Sequence, residues 1–294
     1  MYKPTLVTLY CGGGGSTLGC KNAGCDELLA IDYEKNACDV LKLNNPKLKV
    51  WQRDLKKVTS NQILEATGLK VGELDILSGS PPCQGFSSDN INRDPNNPLN
   101  KLLYTDMRYV KELQSKVFII ENVPGMVRGN MKDFWLRAQK VLNSLGYYVR
   151  WEILDSSYYG VPQARKRVII IGIRKDLGII PTFPEPDFNN IISFHDAIGK
   201  DGYIRTTYGG TVFSGDKPCC TITKGKNIKF FGDYGEYNPD IDDIKTLCGF
   251  PRDYKLIGSY SQKWARLGNA VAPPLMEAIV KHLRETVLDQ INLN

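Results

Sequence analysis

Short apolar runs recur along the chain with turn residues between them. The clearest are Leu6-Val7-Thr8-Leu9-Tyr10, Glu27 to Ile31, Asp75 to Ser78, Val117 to Ile120, Tyr147 to Leu154 and Val168 to Ile173. Each is too short for a helix and rich enough in β-branched and aromatic residues to read as a buried strand. Helical periodicity falls between several of them, over Glu34 to Asn44, Asn61 to Ala66, Thr105 to Leu113 and Lys132 to Leu145. Strands alternating with helices predict an α/β fold whose mostly parallel sheet is covered on both faces, from residue 1 to about 175.

The texture then changes. Between residues 176 and 239, Pro181, Pro184, Pro186 and Pro218 interrupt any period, and Lys200, Arg205, Lys217, Lys224, Lys226 and Lys229 alternate with Tyr203, Tyr208, Phe213, Phe230 and Phe231. Short strands and loops fit this stretch, which reads as a second, smaller domain. Helical character returns over Asp240 to Cys248 and Pro274 to Leu288, so residues 240–294 read as a C-terminal segment returning to the first domain.

Composition narrows the function classes. A net charge of +6, from 38 basic and 32 acidic residues, permits a polyanionic partner without requiring one. Eight cysteines contain no CxxC pair, and only two histidines, His195 and His282, are present, so a zinc site lacks both spacing and ligands. No signal peptide or membrane-length apolar run is seen, which points to reduced thiols, a cytoplasmic setting and no membrane partner.

Candidate chemistry gathers at the ends of the predicted strands. Tyr10-Cys11-Gly12-Gly13-Gly14-Gly15-Ser16 follows the first strand and lets backbone approach a ligand closely. Asp32 and Tyr33 end the second strand, where a carboxylate meets a ribose and a ring meets a base; Asp54 follows the third. Each acid taken singly also reads as a helix or turn cap. No P-loop signature accompanies the glycines, so an adenosine cofactor without phosphates fits better than a nucleotide.

Gly79-Ser80-Pro81-Pro82-Cys83-Gln84-Gly85 follows the fourth run and puts a cysteine on a shaped loop at the mouth of the sheet, as a nucleophile requires. Cys11, Cys20, Cys25 and Cys38 read instead as small apolar packing residues. Glu121-Asn122-Val123 ends the fifth run, and Gln163-Ala164-Arg165-Lys166-Arg167 enters the last, with Arg165 and Arg167 on one side of the strand and Lys166 on the other. Gly268-Asn269-Ala270-Val271 precedes the final helix.

In this order the motifs resemble those of the DNA (cytosine-5) methyltransferases through nearly the whole chain. Leu247-Cys248-Gly249-Phe250-Pro251 resembles the family's Gln-Gly-Phe-Pro segment, with Cys248 in place of glutamine. The resemblance implies a Rossmann-like S-adenosylmethionine-dependent methyltransferase sheet with a target-recognition domain at residues 176–239. It implies Cys83 as the nucleophile on carbon 6 of cytosine, Glu121 on ring nitrogen 3, Arg167 on the carbonyl oxygen and Arg165 nearby. Tyr10, Gly12, Gly14, Asp32, Tyr33, Asp54, Leu102 and Asn269 match cofactor-contact positions, and Gln84, Ser87, Thr221, Ile222 and Lys224 match the DNA-facing side. Ser87 to Asn100 matches a loop that closes over the base.

The partners implied are double-stranded DNA and a cognate restriction endonuclease, with the protein a monomer. Thr8 stands where many relatives have aspartate, and Asp32 replaces the more usual glutamate. A tRNA cytosine methyltransferase, a silent DNA-binding paralogue and a generic nucleotide-dependent enzyme are the competing readings; Gly85-Phe86-Ser87 resembles the DNA-acting branch.

Overall fold

The computed structural model describes residues 2–82, 102–206, 210–232 and 235–292. The first half alternates as its apolar runs predict: β1 (Thr5–Leu9), α1 (Gly15–Asn22), β2 (Asp26–Asp32), α2 (Lys35–Asn44), β3 (Val50–Gln52), α3 (Ser60–Thr67), β4 (Ile76–Gly79), α4 (Leu102–Leu113), β5 (Val117–Asn122) and α5 (Lys132–Ser144). Three further strands follow, β6 (Tyr147–Asp155), β7 (Gln163–Ala164) and β8 (Lys166–Arg174). Seven strands form one sheet in the order β3-β2-β1-β4-β5-β8-β6. The first five are parallel, while β8 runs antiparallel to both β5 and β6.

The strands are apolar because both faces are covered. All six residues of β5 are buried. One face packs Val7, Leu9, Leu77 and Phe118 against Leu103, Met107 and Val110 of α4 and against α5. The other packs Leu6, Ile76, Ile119 and Ile171 against the C-terminal helix. At the sheet's amino end, Asp75 accepts from the Thr5 backbone N–H and hydroxyl (2.8 and 2.9 Å) and pairs with Lys116 at 2.8 Å, tying the starts of three strands.

Strand order reverses between β1 and β4. In a parallel sheet this leaves a crevice outside the carboxyl ends of those two strands, because their following segments depart to opposite faces. The glycine turn leaves β1 there, and Ser80-Pro81-Pro82 leaves β4 there. Antiparallel β8 begins at the same edge, since Asn122 pairs with Val168 and Glu121 with Ile169.

The remainder comprises α6 (Phe194–Ile198), β9 (Gly202–Arg205), β10 (Thr211–Ser214), β11 (Cys219–Cys220), β12 (Ile228–Gly232), β13 (Gly235–Tyr237), α7 (Ile241–Leu247), α8 (Tyr260–Asn269) and α9 (Pro273–Leu283). Four strands make a separate antiparallel sheet, β10-β9-β12-β13, and β11 pairs with β7. Phe194, Tyr203 and Phe230 of this smaller module share one core with Ile244, Leu247, Trp264 and Leu267. Helices α7 and α8 therefore pack with the smaller sheet, and α9 is the element that joins the main core through Leu275, Ile279 and Leu283. No helix among the described residues is long and apolar enough to cross a membrane.

Candidate active site

A cleft of about 200 Å³ opens at the predicted edge. Its lining includes Tyr10, Gly12, Asp32, Tyr33, Pro81, Pro82, Glu121, Arg165, Arg167, Lys224, Arg266 and Asn269. Residues from five strand ends and from the segment before α9 thus meet in one space, as the motif positions predict.

The β1 side is shaped by backbone. Tyr10 has φ 53°, Gly12 φ 53° and Gly14 φ 88°. A non-glycine residue in this region is strained by about 1 kcal/mol or more, and strain of this kind gathers at ligand sites. Tyr10 stays because its ring is packed and its hydroxyl donates to the Leu102 carbonyl at 3.4 Å. Glycine is required at 14 and 15: a β-carbon at Gly14 would lie 2.3 Å from the Tyr254 hydroxyl, and at Gly15 2.0 Å from the Val271 carbonyl.

Asp32 accepts from the backbone N–H of Gly12 and of Glu34, each at 2.9 Å. Burial pushes its carboxyl up, while these two N–H groups pull it back. Two of the turn's own N–H groups are engaged internally, Gly12 on Asp32 and Gly14 on the Cys11 carbonyl. A phosphate cradle needs such groups free. What remains is a part-occupied carboxylate beside Tyr33, whose ring is 67 % exposed at the rim. Asp32 and Tyr33 offer hydroxyl recognition and a stacking surface, a set that suits adenosine.

At the other end of the cleft, Arg167 Nε lies 2.8 Å from Glu121 Oε1, with both side chains about a tenth exposed. The pair presents an acceptor and donors side by side, the pattern needed along one edge of a cytosine. Asn122 donates to the Pro81 carbonyl at 3.2 Å and accepts from the Val123 N–H at 2.9 Å, so β5 also holds the start of the Pro-Cys loop.

The structure redistributes several predicted residues. Arg165 is 3 % exposed, and its guanidinium donates to the carbonyls of Ile222 (2.8 Å), Gly268 (2.9 Å) and Ala270 (2.9 Å). It borders the cleft but binds backbone on either side of it. Ile222 corrects the expectation of a DNA-facing residue: it is fully buried in the core of the smaller module, with its N–H on Gln163. The Thr221 hydroxyl donates to the Ala164 carbonyl at 2.8 Å, and Lys224 is exposed at the cleft. Asp54 and Leu102 are not among the residues lining the cleft; Asp54 accepts from the Lys56 N–H and so caps a turn. Cys83, Gln84, Ser87 and the segment to Asn100 lie outside the described residues.

Burial raises the thiols of Cys11 and Cys20 well above the ordinary range and brings Cys25 to about 12, the behaviour of packing cysteines. A carboxyl does stand beside Thr8: Glu27 accepts from the Thr17 hydroxyl at 3.1 Å, faces Thr8, and is pushed by burial to about 7. The aspartate missing at position 8 thus has a neighbour of the same chemistry on β2.

Sequence reasoning missed Asp106. It lies on the buried stripe of α4 and is 1 % exposed; the Tyr10 hydroxyl faces it, but among the described residues neither of its oxygens is in a well-formed hydrogen bond. A β-carbon at Gly79 would sit 2.5 Å from its Oδ2, so the absence of a side chain at the end of β4 makes room for it. Burial holds this carboxyl well above its ordinary value. The folded state then binds a proton that the unfolded chain releases, and stability falls as pH rises above the ordinary carboxyl range. Asp106→Asn removes that dependence. At pH 8 the variant is expected to be more stable than wild type by about 1–3 kcal/mol, with the gap closing as pH falls toward 4. Urea denaturation at pH 5 and pH 8 checks this, and a pH-independent gap would count against it.

Comparison with known proteins agrees with this geometry. Residues 5–211 match the family model for C-5 cytosine-specific DNA methylases. The Type II methyltransferase M1.HphI of Haemophilus parahaemolyticus is 30% identical over 323 residues, covering 94% of this chain and 86% of its own length. M.Sau96I of Staphylococcus aureus is 28% identical over 327 residues, covering 93% and 74%. Among solved structures, a DNA modification methyltransferase encoded within an E. coli prophage superposes with a TM-score of 0.80 at 20% identity, over 97% of this chain and 99% of that one. The Dnmt2 methyltransferase of S. pombe gives 0.69 at 18%, over 97% and 99%. These two likenesses speak to the fold; the family match and the M1.HphI relationship go further, and the chain belongs to the C-5 cytosine-specific DNA methylases, and so to the DNA cytosine-5 methyltransferases.

Proposed function

We propose that the protein methylates carbon 5 of a cytosine within a short double-stranded DNA sequence, acting on a base swung out of the helix. The observation that carries this reading is the single cleft. The Glu121–Arg167 pair stands at one end, Asp32, Tyr33 and the glycine turn stand at the other, and Pro81 and Pro82, which precede Cys83 in the sequence, line the same space.

Carbon 5 of cytosine is a weak nucleophile. Addition of the Cys83 thiolate to carbon 6 moves an electron pair onto carbon 5; the charge reaching nitrogen 3 would be met by a proton carried on Glu121, and that on the carbonyl oxygen by the Arg167 guanidinium. S-adenosylmethionine, when bound, supplies a methyl group activated by a sulfonium. Asp32 and Tyr33 would hold its adenosine, with Asn269 and Val271 bordering the opposite wall. Loss of the carbon-5 proton returns the electron pair to the ring and lets the Cys83 sulfur leave. A base inside a stacked duplex cannot reach such a cleft, so the cytosine must be extruded.

The smaller module, residues 176–239 with α7 and α8 packed on it, would read the target sequence. Its exposed lysines suit phosphate contacts, and Lys224 stands where module and cleft meet. The Type II names of the relatives support a place beside a restriction endonuclease.

Bisulfite sequencing of DNA from cells expressing the chain tests the reading, because protected cytosines in one sequence context report activity and target together. Labelled methyl appearing in tRNA and not in duplex DNA would overturn the choice of substrate.

A further inference from the structure

One ion pair in the cleft belongs to none of the motifs. Arg266, in the last turn of α8, places Nη2 2.5 and 2.6 Å from the two carboxylate oxygens of Glu34, a residue 232 positions away at the start of α2. The arginine side chain is 8 % exposed and the glutamate 42 %. Among the described residues no partner reaches the buried Arg266 Nε. A β-carbon on Gly13 would lie 3.3 Å from the Arg266 β-carbon, so the arginine crosses directly over the glycine turn. Both residues line the cleft.

The two ends of this pair belong to two different segments of the cleft lining. The Glu34 N–H is bound by Asp32, beside Tyr33, while Arg266 is two residues from Gly268 and three from Asn269. An exposed ion pair joining two flexible side chains would contribute little. Here the cation is desolvated, and removal of its partner leaves a charge inside the site.

We propose that Glu34 and Arg266 form a positioning strap for the cofactor. The pair draws the Asp32–Tyr33 wall toward the Gly268–Asn269 wall, and Glu34 cancels the guanidinium charge where a sulfonium must be accommodated. This rests on the reading of the cleft as an S-adenosylmethionine site. It makes a signed prediction, because S-adenosylmethionine carries one positive charge more than S-adenosylhomocysteine.

The test is calorimetric affinity for both ligands in wild type, Glu34→Gln, Arg266→Lys, Arg266→Gln and the double variant Glu34→Gln/Arg266→Gln, with melting curves to verify folding. Glu34→Gln leaves an unpaired cation, so binding of S-adenosylmethionine should weaken about tenfold and of S-adenosylhomocysteine about threefold. Arg266→Gln should weaken S-adenosylhomocysteine at least as much as S-adenosylmethionine, because the uncovered Glu34 carboxylate favours the sulfonium; Arg266→Lys should retain most of the affinity, and the double variant should lose less than the sum of the two single losses. Equal losses for both ligands in Glu34→Gln, additive losses in the double variant, or unchanged binding would overturn the strap while leaving the cofactor reading intact. Wild-type protein that binds neither ligand would overturn the cofactor reading, and the strap with it.

Discussion

Replacing Cys83 by serine is expected to abolish methyl transfer while leaving duplex DNA binding close to wild type. The change substitutes one atom, so the loop keeps its shape and the basic residues of the smaller module keep theirs. The chemistry does not survive it. A serine hydroxyl is un-ionised at neutral pH, and no histidine stands among the residues lining the cleft to take its proton. Addition to carbon 6 then lacks a nucleophile, and turnover should fall by about 10³-fold or more, equivalent to at least about 4 kcal/mol of barrier. Labelled methyl transfer measures the loss, and fluorescence anisotropy with duplex DNA measures the retained affinity. Wild type should also form a covalent adduct with 5-fluorocytosine-substituted DNA, and the variant should not. Turnover near the wild-type level in Cys83→Ser would remove sulfur from the mechanism.

Much of the catalytic edge was legible in the sequence because the chemistry sits where buried strands stop. An apolar run followed by Gly-Ser-Pro-Pro, Glu-Asn-Val or a glycine turn marks both a strand and its carboxyl end. A parallel sheet brings those ends together irrespective of their separation in the chain. What could not be read are contacts whose partners are set only by tertiary packing. Arg165 looks identical to Arg167 in sequence, yet its partners among the described residues include three backbone carbonyls from two distant segments. Ile222 sits between two half-buried threonines but faces a core built partly from α7 and α8. Helix α8 has a sequence signal of its own, since Ser259 and Gln262 form a capping box and Tyr260, Trp264 and Leu267 keep helical spacing, but it is short and its apolar face meets a partner only in the folded module. Asp106 did leave a signal, since it breaks the apolar stripe of Leu102, Leu103, Met107 and Val110 on α4.

Arg165→Met should cost the protein far more stability than the matching change at Arg167. The side chain is buried, and its guanidinium fixes Ile222, which begins the segment carrying Lys224, together with Gly268 and Ala270 on either side of Asn269. Methionine matches the stem but donates nothing. Charged hydrogen bonds of this kind contribute about 1.5–3 kcal/mol each. The bonds share one side chain and are not additive, so a loss of about 3–5 kcal/mol is expected. Chemical denaturation measures it directly. Because the anchored segments bear Asn269 and Lys224, affinity for S-adenosylhomocysteine and for DNA should decline together in the folded fraction. Arg167→Met should behave in the opposite way. Its guanidinium pairs with Glu121 at the cleft surface, so turnover should drop by about 10²-fold with a much smaller change in stability. A stable Arg165→Met variant deficient only in turnover would mean that this arginine contacts the base itself. The two arginines would then share one role, in place of the division between architecture and chemistry that their bonding partners indicate.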